Sequence, residues 1–448
     1  MQKRLNGKNK YYTLYSALRD DILSGKLEKG TRLPSKRALA ENLSVSVTTV
    51  QTAYEQLLAE GFIYSKERSG YFVSEASVDF YGKAERKSYS PEPAPPSYNI
   101  DLVKGSLPVE LFPFSVWAKL MRQVLSDCGE HLLARVPCAG DRGLREGISA
   151  YLFRTRGINA DPERIIIGAG AEYLYGVVAQ LLGRGSLIAV ENPGYGKISA
   201  SYKLYGANCE YIPVLKDGIA IEEVEKSNAD AVHISPSHQF PTGAVMPATN
   251  RAKLINWAIF GQKYIIEDDY DSEFRLSGKP LQCLYSLCPE RTVYMNTFSK
   301  SLAPSMRMGY MVLPPELYEK YLKIYSHSAS VVPLFEQKTL ARMLDGGHFE
   351  RHINRLKNYY KNIRAALLDR VKSFGVNCRV EDTGSGPHMV LYFPDAPNDE
   401  SIRQIARENG INARCLSDYL LEPAEGYEKR VIVNYPALTP EKITSIKF

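Results

Sequence analysis

Leu14, Ala17, Leu18 and Ile22 recur at helical spacing near the start of the chain, and Gly25 supplies a stop, so a first helix is expected there. Ser35 stands where it can cap a second, short helix carrying Ala38, Leu39 and Leu43. Ser46 can cap a third, with Val50, Ala53, Tyr54, Leu57 and Leu58 on one face and Gly61 at its end. Two apolar runs, 62–64 and 71–73, flank a polar stretch and read as a two-stranded hairpin. Beyond residue 99 the pattern changes. Short β-rich runs at 164–167, 187–190, 231–234, 264–266 and 292–295 alternate with helical stretches, the pattern of a mostly parallel sheet. Each run is followed at once by polar or glycine-rich text, which falls at the carboxyl ends of strands, where open α/β sheets bind ligands.

Between these regions, residues 86–99 hold four prolines, which forbid a helix and favour an extended spacer. The expected organisation is a small unit over residues 1–80, a proline-rich linker over 81–98 and a large α/β unit over 99–448. Composition adds exclusions. With 44% hydrophobic and 24% charged residues and no apolar run near the ~20 residues of a membrane span, no transmembrane helix is expected. The basic start is not followed by an apolar stretch, so a cytoplasmic protein is expected rather than a secreted one. Seven cysteines, odd in number and without CxxC spacing, indicate neither a disulfide framework nor a zinc site. A net charge of +6 is mild, but residues 1–40 carry ten Lys/Arg against three Asp/Glu, as expected where a chain meets phosphates.

In the small unit the apolar faces leave Ser46, Val47, Thr48, Thr49 and Gln51 free at the start of the third helix, where a recognition helix meets base edges in the major groove. Arg32, Arg37 and Arg68 lie outside the apolar pattern and are candidates for phosphate contact, with the hairpin tip at Ser69 and Gly70 close to the backbone. Gln51 is the side chain suited to bidentate contact with adenine. The strings GTRLPSKRALAE (30–41), VSVTTV (45–50) and AEGFI (59–63), with the Ser-Gly tip, resemble the GntR family of regulators over about residues 11–74. The resemblance implies a winged helix-turn-helix in which Ser35, Arg37, Ser46, Thr48, Thr49 and Gly70 sit where such proteins touch double-stranded operator DNA. Val47 stands where many relatives have arginine.

The large unit carries a second constellation. Pyridoxal chemistry needs a lysine amine, a carboxylate for the ring nitrogen, a donor for the ring hydroxyl and a phosphate cradle. Lys300 directly follows the run 292–295, so its stem can project from a strand end. Asp268 and Tyr270 are two residues apart at another strand end and leave on the same face. The junction IGAGAE (167–172) offers backbone N–H groups at a helix start, and Thr297, Ser299 and Arg307 flank the lysine. Tyr195, in NPGYG (192–196), can stack on a ring.

The strings TFSKSLAPSMR (297–307), EDDYDSEFR (267–275) and PSHQFPTG (236–243) resemble fold-type I aminotransferases over about residues 99–440. The pair of units resembles the MocR subfamily of GntR regulators over nearly the whole chain. This implies an α/β large domain joined to a small α+β winged helix-turn-helix. It also implies pyridoxal 5′-phosphate as cofactor, with Lys300 as the aldimine lysine, Asp268 as ring-nitrogen partner, Tyr270 as ring-hydroxyl donor and Tyr195 as stacking ring. Gly170, Ala171, Thr297, Ser299 and Arg307 then hold phosphate, Gln239 lies near where aminotransferases place an asparagine, and a homodimer with swapped heads is expected. Aminotransferases usually bind the substrate carboxylate with an arginine near the C-terminus, and Ile432 occupies that position here. Arg430 and Lys197 are the remaining effector candidates. Two effectors stay open: the cofactor itself, favoured by Ile432, or an amino compound. Transamination with true turnover is the rival from another class, and the DNA-reading head argues against it.

Overall fold

The computed structural model describes residues 10–74, 98–105, 107–276 and 281–448. It divides into two units, Met1–Pro95 and Pro96–Phe448. The expected linker at 81–98 lies outside the described residues apart from Tyr98.

The first unit contains α1 (Lys10–Leu23), α2 (Lys36–Leu43) and α3 (Val47–Ala59), followed by β1 (Ile63–Lys66) and β2 (Gly70–Val73). Both expected serine caps form: the Ser35 side chain accepts from the Ala38 N–H and that of Ser46 from the Thr49 N–H. Leu14, Tyr15, Leu18 and Ile22 of α1 pack with Val50, Ala53, Tyr54 and Leu57 of α3 in one core. Burial of each such large apolar side chain contributes about 1.5–3 kcal/mol. On α2 the buried pair is Leu39 and Ala40, while Ala38 is exposed, so the apolar stripe lies slightly round from its expected place. β1 and β2 pair antiparallel from Ile63↔Val73 to Lys66↔Gly70. Arg68 (φ 55°) and Gly70 (φ 109°) turn the wing, and glycine tolerates the positive φ that the tip requires.

In the second unit β3 (Ile100–Asp101) pairs with the distant β14 (Ile411–Asn412). The main sheet contains β4 (Ile165–Gly168), β5 (Leu187–Asn192), β6 (Asn208–Leu215), β7 (Gly218–Ile219), β8 (Ala231–Ile234), β9 (Tyr264–Asp268), β10 (Thr292–Thr297) and β11 (Gly309–Val312). Its spatial order is β4-β11-β10-β9-β8-β5-β6-β7. The central run β10, β9, β8, β5 and β6 is parallel, and β11 and β7 join it antiparallel. Four strands, β4, β8, β9 and β10, are buried along their whole length, as a parallel sheet covered on both faces requires. A smaller sheet, ordered β12 (Arg379–Glu381), β13 (His388–Tyr392), β16 (Arg430–Asn434) and β15 (Arg414–Cys415), is antiparallel throughout. No helix among the described residues is long and apolar enough to cross a membrane. The seven cysteines are all unlinked.

Candidate functional site

Because β5, β8, β9 and β10 run parallel, their carboxyl ends lie along one edge of the sheet. A cavity of about 540 Å3 opens there, and Lys300, Asp268, Tyr270, Tyr195, Thr297 and Ser299 all contribute to its wall.

Lys300 lies three residues beyond β10, and its Nζ donates to the Gly105 carbonyl at 3.3 Å. Burial lowers the pKa of this amine, with Asp271 opposing the shift. A methyl group on Gly105 would stand 2.5 Å from Nζ, so any side chain there would displace the amine. The turn that carries the lysine is held from behind by His352, whose Nε2 donates to the Ser301 carbonyl at 2.7 Å. Burial lowers that imidazole to about 4, which keeps it neutral at ordinary pH.

Three consecutive acids, Glu267 and Asp268 at the end of β9 and Asp269 just beyond it, are all buried. Each has a separate partner. Glu267 accepts from the Leu284 and Tyr285 N–H groups at 3.0 and 2.9 Å. Asp268 accepts from the Tyr175 hydroxyl at 2.6 Å, with His233 Nε2 at 3.5 Å. Asp269 turns away, into a 2.7 Å ion pair with Arg156 and a 2.7 Å hydrogen bond from Tyr294. Asp268 is thus the acid of the three that reaches the cavity. The Tyr270 hydroxyl donates to the His238 carbonyl at 3.1 Å, and its pKa is pushed well up by burial, then by Asp271 and Asp268.

At the far side, Gly170 (φ 88°) and Ala171 begin helix α6 (Ala171–Leu182), given α4 (Phe114–Cys128) and α5 (Arg142–Arg156) before it. A methyl group on Gly170 would meet the Arg307 guanidinium at 3.2 Å, so helix start, glycine and arginine converge. Backbone N–H groups at a helix start and a guanidinium suit an anionic group. Glu172 bridges Arg307 at 2.8 Å and Lys197 at 3.2 Å, and these two cations lower its pKa.

Two expected residues fall elsewhere. Gln239 does not line the cavity: its amide nitrogen donates to the Pro193 and Phe240 carbonyls and its oxygen accepts from the Thr242 N–H and hydroxyl, so the whole amide is spent on holding its own loop. Arg430 is also absent from the wall. Its Nε pairs with Glu381 at 3.0 Å and its guanidinium lies 4.3 Å from the Tyr392 ring centroid, so cross-strand partners on β12 and β13 fix it. Tyr195 is 42% exposed and meets Phe240 edge-on at 6.2 Å. Wall residues that sequence reasoning missed include Gly105, Tyr175, Glu191, His233, Arg414 and Asn434. Most come from segments far from the motifs, and only Glu191, adjacent to NPGYG, had a local signal.

Burial raises the Glu191 pKa to about 8, despite the Ser235 N–H at 3.2 Å. The folded state therefore keeps a proton that the unfolded chain sheds above its ordinary value of 4.5, so this group's contribution to stability falls between pH 4.5 and about 8 and is level above. Glu191→Gln is expected to flatten that part of the decline. Urea unfolding of both proteins across pH 5–9 checks it, and parallel curves would refute the assignment.

On the winged unit, Thr48 and Gln51 are exposed near the start of α3, while Ser46 and Thr49 bond to each other (Oγ to Oγ1, 2.8 Å) as part of the cap. Ser35 and Ser46 therefore shape the helix starts first. Gln51 donates to Glu55 at 2.8 Å along its own helix and must leave it to reach a base. Arg32, Arg37 and Arg68 are exposed. Arg37→Ala is expected to weaken binding to all DNA and to reduce the slope of log K against log salt by about 0.9; an unchanged slope in a salt titration would contradict a phosphate contact.

Residues 10–73 match the model of the bacterial regulatory proteins of the gntR family, and residues 100–446 that of aminotransferase class I and II. The chain is 37% identical over 407 residues to an uncharacterized HTH-type transcriptional regulator, YdeL, of Bacillus subtilis, covering 90% of this chain and 88% of that one. It is 30% identical to the HTH-type pyridoxine biosynthesis transcriptional regulator PdxR of Corynebacterium glutamicum, with 91% and 88% covered. An archaeal alanine:glyoxylate aminotransferase has the same fold, with a TM-score of 0.69 at 22% identity over 77% of this chain and 88% of its own.

Proposed function

The chain belongs to the GntR regulators that carry an aminotransferase class I and II domain, the MocR arrangement, and from that premise we propose that it is a transcription regulator whose DNA binding answers to pyridoxal 5′-phosphate held at Lys300. The observation that carries this is the convergence, in one cavity, of a half-buried amine of lowered pKa, a buried carboxylate and a helix start beside Arg307.

The residues fit the cofactor. It supplies an aldehyde that bonds covalently to an amine and a ring that withdraws electrons from what it holds. Lys300 offers the amine, and the Gly105 carbonyl aims it by accepting its hydrogen bond. Asp268, kept in place by Tyr175, holds a proton at the ring nitrogen. Tyr270, whose hydroxyl now donates to the His238 carbonyl, would donate at the ring hydroxyl. The N–H groups at Gly170 and Ala171, with Thr297, Ser299 and Arg307, would hold the phosphate, and Tyr195 would offer a stacking face. Lys197, paired with Glu172, stands at the rim of this phosphate end.

The effector is a small amino compound entering beside the cofactor, or the cofactor itself, and its binding changes the binding of DNA. The second reading, in which the cofactor alone is the signal, is favoured by the pyridoxine-related name of the Corynebacterium relative. The protein acts in the cytoplasm as a homodimer with swapped heads, which places two readers on one operator with fixed spacing.

The test is capture of genomic DNA fragments by the full-length protein, titrated first with the cofactor and then with a panel of amino acids. A change in binding supports the reading. No response to either removes it, and steady keto-acid production at about 1 s−1 or faster would make the protein an enzyme.

A further inference from the structure

Five cations contribute to the cavity wall: Lys104, Lys197, Lys300, Arg307 and Arg414. Lys197 and Arg307 share Glu172, and Lys300 is the amine already assigned. Of the other two, Lys104 is also without an ion pair among the described residues, and Arg414 is the one carried by a strand of the small sheet. Among the described residues no carboxylate forms an ion pair with it, and its guanidinium lies 6.0 Å from the Tyr419 ring centroid. The acids of the wall do not serve it either: Glu172 is taken, Asp268 accepts from Tyr175, and Glu191 keeps its proton up to about pH 8.

Position matters as much as charge. Arg414 on β15 is in register with Ile432 on β16, so the two side chains leave on the same face of the small sheet. Asn434, two residues beyond Ile432, shares that face. It also sits beside the Lys300 amine, because a methyl group on Gly105 would lie 2.5 Å from Nζ and 3.6 Å from the Asn434 Oδ1. A strand spacing of ~4.8 Å and a two-residue rise of ~6.7 Å separate the backbones of Arg414 and Asn434 by roughly 8 Å. Arg414 and Asn434 thus reach the wall of one cavity from neighbouring strands, as the two ends of a short amino-bearing anion would need. Phe240 and Tyr419, edge-on at 5.1 Å, supply an apolar wall between.

We propose that Arg414 receives the carboxylate of the effector, which is therefore an amino acid rather than a simple amine. This rests on the cofactor reading above and deepens it. The arginine comes from a different strand than the one where Ile432 leaves no charge, and it replaces both Arg430 and Lys197 as the anion reader.

The full-length, cofactor-loaded protein is titrated with the standard amino acids, β-alanine and 4-aminobutyrate, and with the matched alkylamines lacking the carboxylate, following the cofactor's visible absorbance. Wild type should bind at least one amino acid about tenfold or more tighter than its alkylamine, the range of a charge-assisted hydrogen bond. Arg414→Ala should erase that preference while leaving the alkylamine within about twofold, and Arg414→Lys should restore part of it. A preference that survives in Arg414→Ala, an equal loss for both kinds of ligand, or a wild type without preference each overturns the proposal. Failure of the cofactor reading shows earlier and separately, as no visible absorbance when the cofactor is added.

Discussion

Replacing Lys300 with alanine is expected to abolish retention of the cofactor through desalting and, with it, every change in DNA binding that the cofactor or an amino acid produces in the wild type. The amine lines the cavity half-buried, and its lowered pKa leaves more of it unprotonated for bonding to an aldehyde. The winged unit has its own core of Leu14, Tyr54, Leu57 and their neighbours, so Lys300→Ala should still bind DNA in a gel-shift assay. The expected pattern is a protein that reads DNA and no longer responds. A variant that responds like wild type would show that the signal enters elsewhere.

Arg156→Ala should cost about 3–5 kcal/mol of stability, because it strands the Asp269 carboxylate, 1% exposed, without its cation. Against a total of about 5–15 kcal/mol for an ordinary domain this is a large fraction. Burial opposes the Arg156 charge, yet Asp269 raises its pKa above the usual guanidinium range, so the pair is charged in the folded state. Asp269 follows Asp268 directly and its N–H donates to the Met295 carbonyl at 2.9 Å, so the strain should spread to the cavity. Urea unfolding should show the loss. The double replacement Arg156→Met with Asp269→Asn should recover most of it, since no uncompensated charge is then buried. A single variant within about 0.5 kcal/mol of wild type would mean that water reaches the carboxylate.

The head and the parallel centre of the sheet were legible because their signals are local. Helical spacing gave α1 and α3 their buried faces, Ser35 and Ser46 their caps, and five β-rich runs correspond to β4, β5, β8, β9 and β10. The two-residue spacing of Asp268 and Tyr270 put both at the cavity. What was not legible depends on distant pairing. β14 and β15 are two residues each, too short for any periodicity, and Arg414 reaches the cavity only because β15 pairs with β16. Arg430 looked free in the sequence because its partners Glu381 and Tyr392 lie on other strands of the small sheet. Gln239 looked available because nothing local announces that its amide closes its own loop. Ile432, which carries no charge where an arginine is usual, is in register with Arg414 on β15, a pairing that no local pattern announces.

The account depends on which amine takes the cofactor. Borohydride reduction of the loaded protein, digestion and mass mapping test this directly. The account predicts a cofactor-derived mass on the peptide containing Lys300 and on no other; the same mass on Lys104 or Lys197, which share the cavity wall, or on no lysine at all, would contradict it.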